Sequence, residues 1–157
     1  MRRHAEGTKV SIAQSRAAIE DLVTKSGATR FATGLDARRA WIGFEMNRRF
    51  VRFVLTLPAR DEARFTDVFR GRVNRTVHQR TDSAAARLHE NECRRVWRSL
   101  LMSIRAKLTA IDDGISTFDI EFMPYVVMPG GKTIGETILP QMEGVAAGAP
   151  LALLEGR

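Results

Sequence analysis

Between Asp82 and Gly114 the chain carries its most regular pattern. Cys93, Val96, Trp97, Leu100, Leu101, Ile104, Leu108 and Ile111 recur at steps of three and four. That spacing places them on one stripe of an α-helix. Arg94, Arg98 and Arg105 fall off the stripe. Thr81 or Asp82 can cap the helix, and Gly114 ends it. At about 1.5 Å per residue it would be roughly 45–50 Å long. That is longer than a domain of this size is wide, so its first turns are expected to project. A partner or a second copy could cover them.

A stripe this wide needs a second apolar surface, and residues 28–58 supply one. Thr29–Thr33 reads as a strand and Gly34-Leu35-Asp36 as a turn. Ala40–Met46 reads as a second strand, Asn47-Arg48 as a tight turn, and Arg49–Leu57 as a third strand ended by Pro58. Ile42, Phe44 and Met46 share a face, and pairing would set it beside Val51, Phe53, Leu55 and Leu57. The opposite face holds Trp41, Gly43, Glu45, Phe50, Arg52, Val54 and Thr56. The expected fold is α+β: an antiparallel sheet of three or more strands over about 28–57, packed on one long helix over about 82–113, with smaller helices around it.

Those smaller helices announce themselves by caps. Ser11 with Gln14, and Thr133 with Glu136, have the capping-box form. Gly27 closes the first of these helices. Ser116 or Thr117 starts a short helix over FDIEFMPYV that Pro124 distorts. Residues 59–81 carry six arginines around scattered apolar residues and fit a short helix, short strands or a basic loop equally. One domain over 11–143 is expected, with a disordered basic N-terminus at 1–10 and a loosely ordered tail at 144–157.

Composition narrows the setting. The chain has 157 residues, a net charge of +7 and one cysteine, Cys93, so no internal disulfide can form. A cytosolic, reducing compartment is expected. No apolar run is long enough to span a membrane. Residues 1–114 hold 23 Lys/Arg against 13 Asp/Glu, and residues 115–157 hold 2 against 5. Only four of the basic residues are lysines. Arginine's planar fork suits phosphates and base edges, although GC-rich coding also yields arginine.

The string Trp97…Lys107-Leu108…Gly114-Ile115-Ser116-Thr117-Phe118…Glu121-Phe122, then Met128-Pro129-Gly130-Gly131-Lys132-Thr133-Ile134-Gly135-Glu136, resembles a set of small uncharacterised phage and prophage proteins. The hairpin Arg49-Phe50-Val51-Arg52-Phe53 fits the same pattern. The resemblance implies viral DNA metabolism or interference with a host function. It assigns no catalytic residue.

The leading candidate site is the basic, aromatic hairpin. Arg38, Arg39, Trp41, Arg48, Arg49, Phe50 and Arg52 lie within fifteen residues. Cationic grooves with aromatic platforms bind single-stranded nucleic acid, each stacked base contributing ~1–3 kcal/mol. The alternative is that a helix covers Trp41 and Phe50 as a second core face. Arg94, Arg98 and Arg105 could grip phosphates, or form a solvated helix face on which Glu90 pairs with Arg94. The expected function is a non-enzymatic nucleic-acid-binding accessory protein, with no cofactor and no metal. A protein-interaction module or homodimer through the long helix, acting on a host or viral protein, is the alternative.

Three weaker patterns bear on chemistry. His89-Glu90-Asn91-Glu92-Cys93 offers two metal-ligand types at i,i+4 but no third ligand, and Cys93 also continues the apolar stripe. Lys132-Thr133 ends like a P-loop, but Val126 stands where its first glycine belongs. Asp112, Asp113, Asp119 and Glu121 could hold Mg²⁺ for a small nuclease.

Overall fold

A computed structural model describes residues 8–36, 38–70 and 76–142. The expectations for residues 1–7 and 143–157 lie outside the described residues. The fold is α+β. Helix α1 (Ile12–Lys25) leads into β1 (Arg30–Asp36), β2 (Arg39–Met46) and β3 (Arg49–Thr56). Then come α2 (Ala63–Thr66), a hairpin of β4 (Asp67–Arg70) and β5 (Thr76–Gln79), and α3 (Asp82–Asp112). Helix α4 (Phe118–Phe122), a 3₁₀ turn and α5 (Ile134–Met142) complete the order.

The larger sheet is antiparallel with order β1-β2-β3. Strand β1 runs to Asp36, through the segment expected to turn. Pairing explains the difference: Gly34 lies opposite Trp41 and Asp36 opposite Arg39, so β2 recruits the whole segment. Between β2 and β3, Asn47 and Arg48 both take positive φ, at 51° and 60°. That is the primed turn whose twist matches a hairpin.

The stripe of α3 meets the alternation of β2 and β3. Trp97, Leu100, Leu101, Ile104 and Leu108 form one buried cluster with Ala40, Ile42, Phe44, Met46, Val51 and Phe53. Ile19 and Val23 of α1 join it, as do Phe118 and Phe122 of α4. Phe122 meets Phe44 and Phe53 edge-on, with centroids 5.8 and 6.3 Å apart. All three helices therefore lie on the Ile42/Phe44 face.

The caps form as the spacing predicts. Ser11 and Gln14 exchange side-chain-to-backbone hydrogen bonds, as do Thr133 and Glu136. Thr81 caps α3 and Thr117 caps α4. Gly114, at φ +70°, closes α3 with Ile115 N–H donating to Ala110 O and its own N–H to Ile111 O.

The chain covers α3 from His89 onward, while residues 82–88 include no buried residue. Phe65 of α2 is buried, with its ring 5.5 Å from that of His89. Arg80 ties this region together by donating through Nη1 to the carbonyls of Arg64, Phe65 and Asp67. The stripe of α3 is thus covered within the chain over most of its length.

Candidate nucleic-acid interface

With α1, α3 and α4 on one face of the sheet, the other face stays uncovered by them, and α5 reaches it from the β3 side, with Glu136 beside Arg52 and Leu139 near Val54. Four cross-strand rows make it up: Asp36–Arg39–Thr56, Gly34–Trp41–Val54, Ala32–Gly43–Arg52 and Arg30–Glu45–Phe50. A groove of about 420 Å³ runs over it, lined by Asp36, Arg39, Trp41, Phe50, Arg52, Val54 and Glu136.

Two glycines set the positions of the aromatic rings. A Cβ on Gly34 would sit 2.1 Å from Nε1 of Trp41. A Cβ on Gly43 would sit 2.6 Å from the tip of the Phe50 ring. Each ring therefore rests across bare backbone, the arrangement known as aromatic rescue of a strand glycine. Phe50 keeps 39% of its surface exposed and Val54 47%, while Trp41 is half-buried.

The arginines divide into engaged and free. Arg49 donates to both carboxylate oxygens of Asp119, at 2.8 and 3.3 Å. That pairing holds the Asp119 carboxyl below its ordinary range. Arg52 donates through Nη2 to Gly131 O at 2.8 Å and to Glu136 at 3.0 Å. Its Nε is buried with no hydrogen-bond partner. Glu136 titrates below the usual glutamate range because the Thr133 N–H donates to it, with Arg52 adding to the effect. Arg38, Arg39 and Arg48 are exposed and form no ion pair among the described residues. Arg39 lines the groove on the open face. Arg38 lines a different one, with Ile12, Leu57 and Cys93.

The helix arginines stand apart from this face, because α3 packs on the other side of the sheet. Arg94 is bound to Glu90, its i,i+4 neighbour. Arg98 is half-buried and Arg105 exposed, and neither lines the groove. The sequence pattern also missed two groove residues, Asp36 and Glu136. Asp36 read as a turn residue and Glu136 as a cap. With Arg39 and Arg52 opposite them, the groove carries two positive and two negative side chains.

The other candidate sites resolve into structural roles. His89 Nε2 lies 3.0 Å from Pro58 O and 3.7 Å from Cys93 Sγ. Burial pushes the Cys93 thiol up, and the neighbouring Glu92 adds to this, so it stays protonated near neutral pH. Thr133 caps α5, its hydroxyl accepting from the Glu136 N–H. Asp119 is held by Arg49 and Glu121 by Lys107, while Asp112 and Asp113 are exposed at the end of α3. Among the described residues no three His, Cys, Asp or Glu side chains are grouped to hold a metal ion. Among the same residues no helix is long and apolar enough to cross a membrane.

Comparison with protein-family models, with curated proteins and with solved structures returned no match.

Proposed function

We propose that this chain is a non-enzymatic accessory protein of phage or prophage origin that binds single-stranded nucleic acid on the open face of its sheet. One observation carries the reading. The three core helices pack on the Ile42/Phe44 face, which leaves Trp41 and Phe50 laid across glycines in a groove beside Arg39. Sequence-tolerant single-strand binders combine such stacking platforms with cationic contacts.

The charge inventory sets the character of the binding. Arg49 and Arg52 already face carboxylates, and the groove is balanced. Phosphate contacts fall to Arg39 on the face and to Arg48 in the β2–β3 turn, since Arg38 lines the groove on the helix side. Stacking then supplies most of the affinity. Asp36 and Glu136 can accept hydrogen bonds from base amino groups.

Two phosphate contacts on a single strand predict a log–log salt slope of about −1.4. Replacing Arg39 and Arg48 by Ala should flatten that slope by about 1.4. Fluorescence anisotropy with a labelled oligonucleotide at several salt concentrations measures both. No binding at low salt would end the proposal, and an unchanged slope in the double variant would place the phosphates elsewhere.

A second reading rests on α5. Ile138, Leu139 and Met142 are exposed large apolar residues, and α5 buries none of its side chains. Such a helix suits a protein-interaction module. Recovery of one host or viral protein after nuclease treatment, lost in Leu139→Asp, would favour it over nucleic-acid binding.

A further inference from the structure

The two edges of the main sheet are treated differently by the chain. The β3 edge is covered: Val127 N–H donates to Phe50 O, Val126 bridges Val51, and Ile134 N–H in turn donates to Val126 O. The β1 edge pairs with no described strand or loop on its outer side. Seven residues long, it carries no proline and no lysine, and its charged residues, Arg30 and Asp36, stand at its two ends with opposite signs. Leu35 stands on the core-face side of this strand with 71% of its surface exposed.

The sequence of β1 is Arg-Phe-Ala-Thr-Gly-Leu-Asp. Read against a reversed copy of itself about Thr33, it is complementary in charge and in polarity. We propose that the β1 edge is the homodimer interface of this protein, in which β1 pairs antiparallel with β1 of a second copy about a dyad at Thr33. The inference stands independently of nucleic-acid binding.

In that register Arg30 lies opposite the partner's Asp36, and Asp36 opposite the partner's Arg30. Within one chain Arg30 already faces Glu45, with Nε 3.3 Å from its carboxylate, and Asp36 faces Arg39. Pairing therefore builds a ladder of alternating sign across four strands: Glu45, Arg30, the partner's Asp36, the partner's Arg39. The dyad repeats it, so each dimer has two ladders. Opposite charges directly across a sheet attract, and like charges there repel. No other centre of an antiparallel self-pairing sets both charged ends of β1 against their opposites.

The remaining positions agree. On the core-face side, exposed Leu35 meets the partner's Phe31, a half-buried ring. On the open face, Gly34 meets the partner's Ala32. At the dyad Thr33 meets the partner's Thr33, and each already accepts a hydrogen bond from its own Arg16. The two Arg16 guanidiniums are the one unfavourable meeting, and they are solvent-exposed, so salt screens them. Edge pairing over seven residues falls at the small end of protein interfaces, which sets the expected affinity in the micromolar range.

Such a dimer would be a continuous six-stranded sheet. Its two open faces would join, with the two Ala32 positions lying between the two Trp41 side chains, each of which covers its own Gly34.

Sedimentation velocity from low to high micromolar concentration tests the interface. A concentration-dependent monomer–dimer equilibrium is expected. Arg30→Glu and Asp36→Arg should each weaken it by on the order of tenfold, since each places like charges across both ladders. The combined Arg30→Glu/Asp36→Arg chain restores opposite charges between copies, and should recover dimerisation relative to either single change. Leu35→Lys, at a position exposed in the monomer, should abolish the dimer while leaving thermal unfolding intact. A monomer throughout the concentration range overturns the proposal. So does a dimer indifferent to Leu35→Lys, or a double charge reversal weaker than both singles. Oligonucleotide binding by a strictly monomeric wild type would retain the nucleic-acid reading while removing this one.

Discussion

Trp41 rests across Gly34 and Phe50 across Gly43, and neither ring could lie there over a residue with a Cβ. The two glycines look like weaknesses in a strand until the register is known. Then they are the seats of the two aromatic side chains that define the open face. The alternation that puts Trp41 and Phe50 on this face is readable from the chain, because a strand has period two. The reason for Gly34 and Gly43 is not, because it depends on neighbours in another strand. Glu136 is a similar case. Its spacing from Thr133 identifies a cap, but its second partner, Arg52, is 84 residues away. The folded-state carboxyl titrates below its unfolded value. Its contribution is therefore full above the unfolded value and lost as pH falls through the folded one. Glu136→Gln keeps the cap's shape and removes the charge. Its melting temperature should lie below wild type at pH 7, and the two should converge as pH drops below about 4. A difference independent of pH would mean that the charge is not what matters.

At the scale of elements, α3 and the β2–β3 hairpin were legible because each buries one face of a strong period. The buried cluster joins Leu101 to Phe44 and Val51, all at zero exposure. Leu101→Ala should cost ~2–5 kcal/mol, against a total of ~5–15 for a domain. Chemical denaturation measures this, and an unchanged midpoint would contradict the packing. Residues 59–81 were illegible for a physical reason. Helix α2 has four residues, and β4 and β5 have four each, too short for any period to show. Their order comes from outside themselves: Phe65 buried against α3, and Arg80 bonded to three carbonyls. The same segment covers α3 at His89, one of the positions that the helix's length alone made look unpartnered. Strand β1 runs past its expected turn for a comparable reason, since β2 supplies the pairing that Gly34-Leu35-Asp36 lacks alone.

Over the whole molecule, net charge is a poor guide to where positive potential lies. The first 114 residues carry an excess of ten basic groups, yet folding sets Arg49, Arg52, Arg64, Arg94 and Arg95 against carboxylates. Two of these pairs link residues 70 and 84 apart, beyond the reach of local pattern. What remains at the open face is Arg39 beside two aromatic side chains, with Arg48 in the β2–β3 turn. The helix arginines, which looked equivalent in the sequence, belong to the other side of the sheet. The layering of the fold thus separates one candidate set into two. In the proposed function the open sheet face takes bases by stacking on Trp41 and Phe50. The direct measurement is single-stranded oligonucleotide affinity at low salt for wild type, for Trp41→Ala/Phe50→Ala and for Arg94→Ala/Arg105→Ala, each checked by thermal unfolding. The aromatic pair should lose about 2 kcal/mol or more of binding while the helix pair stays near wild type. Equal affinity in the aromatic variant, or a larger loss in the helix variant, would contradict it.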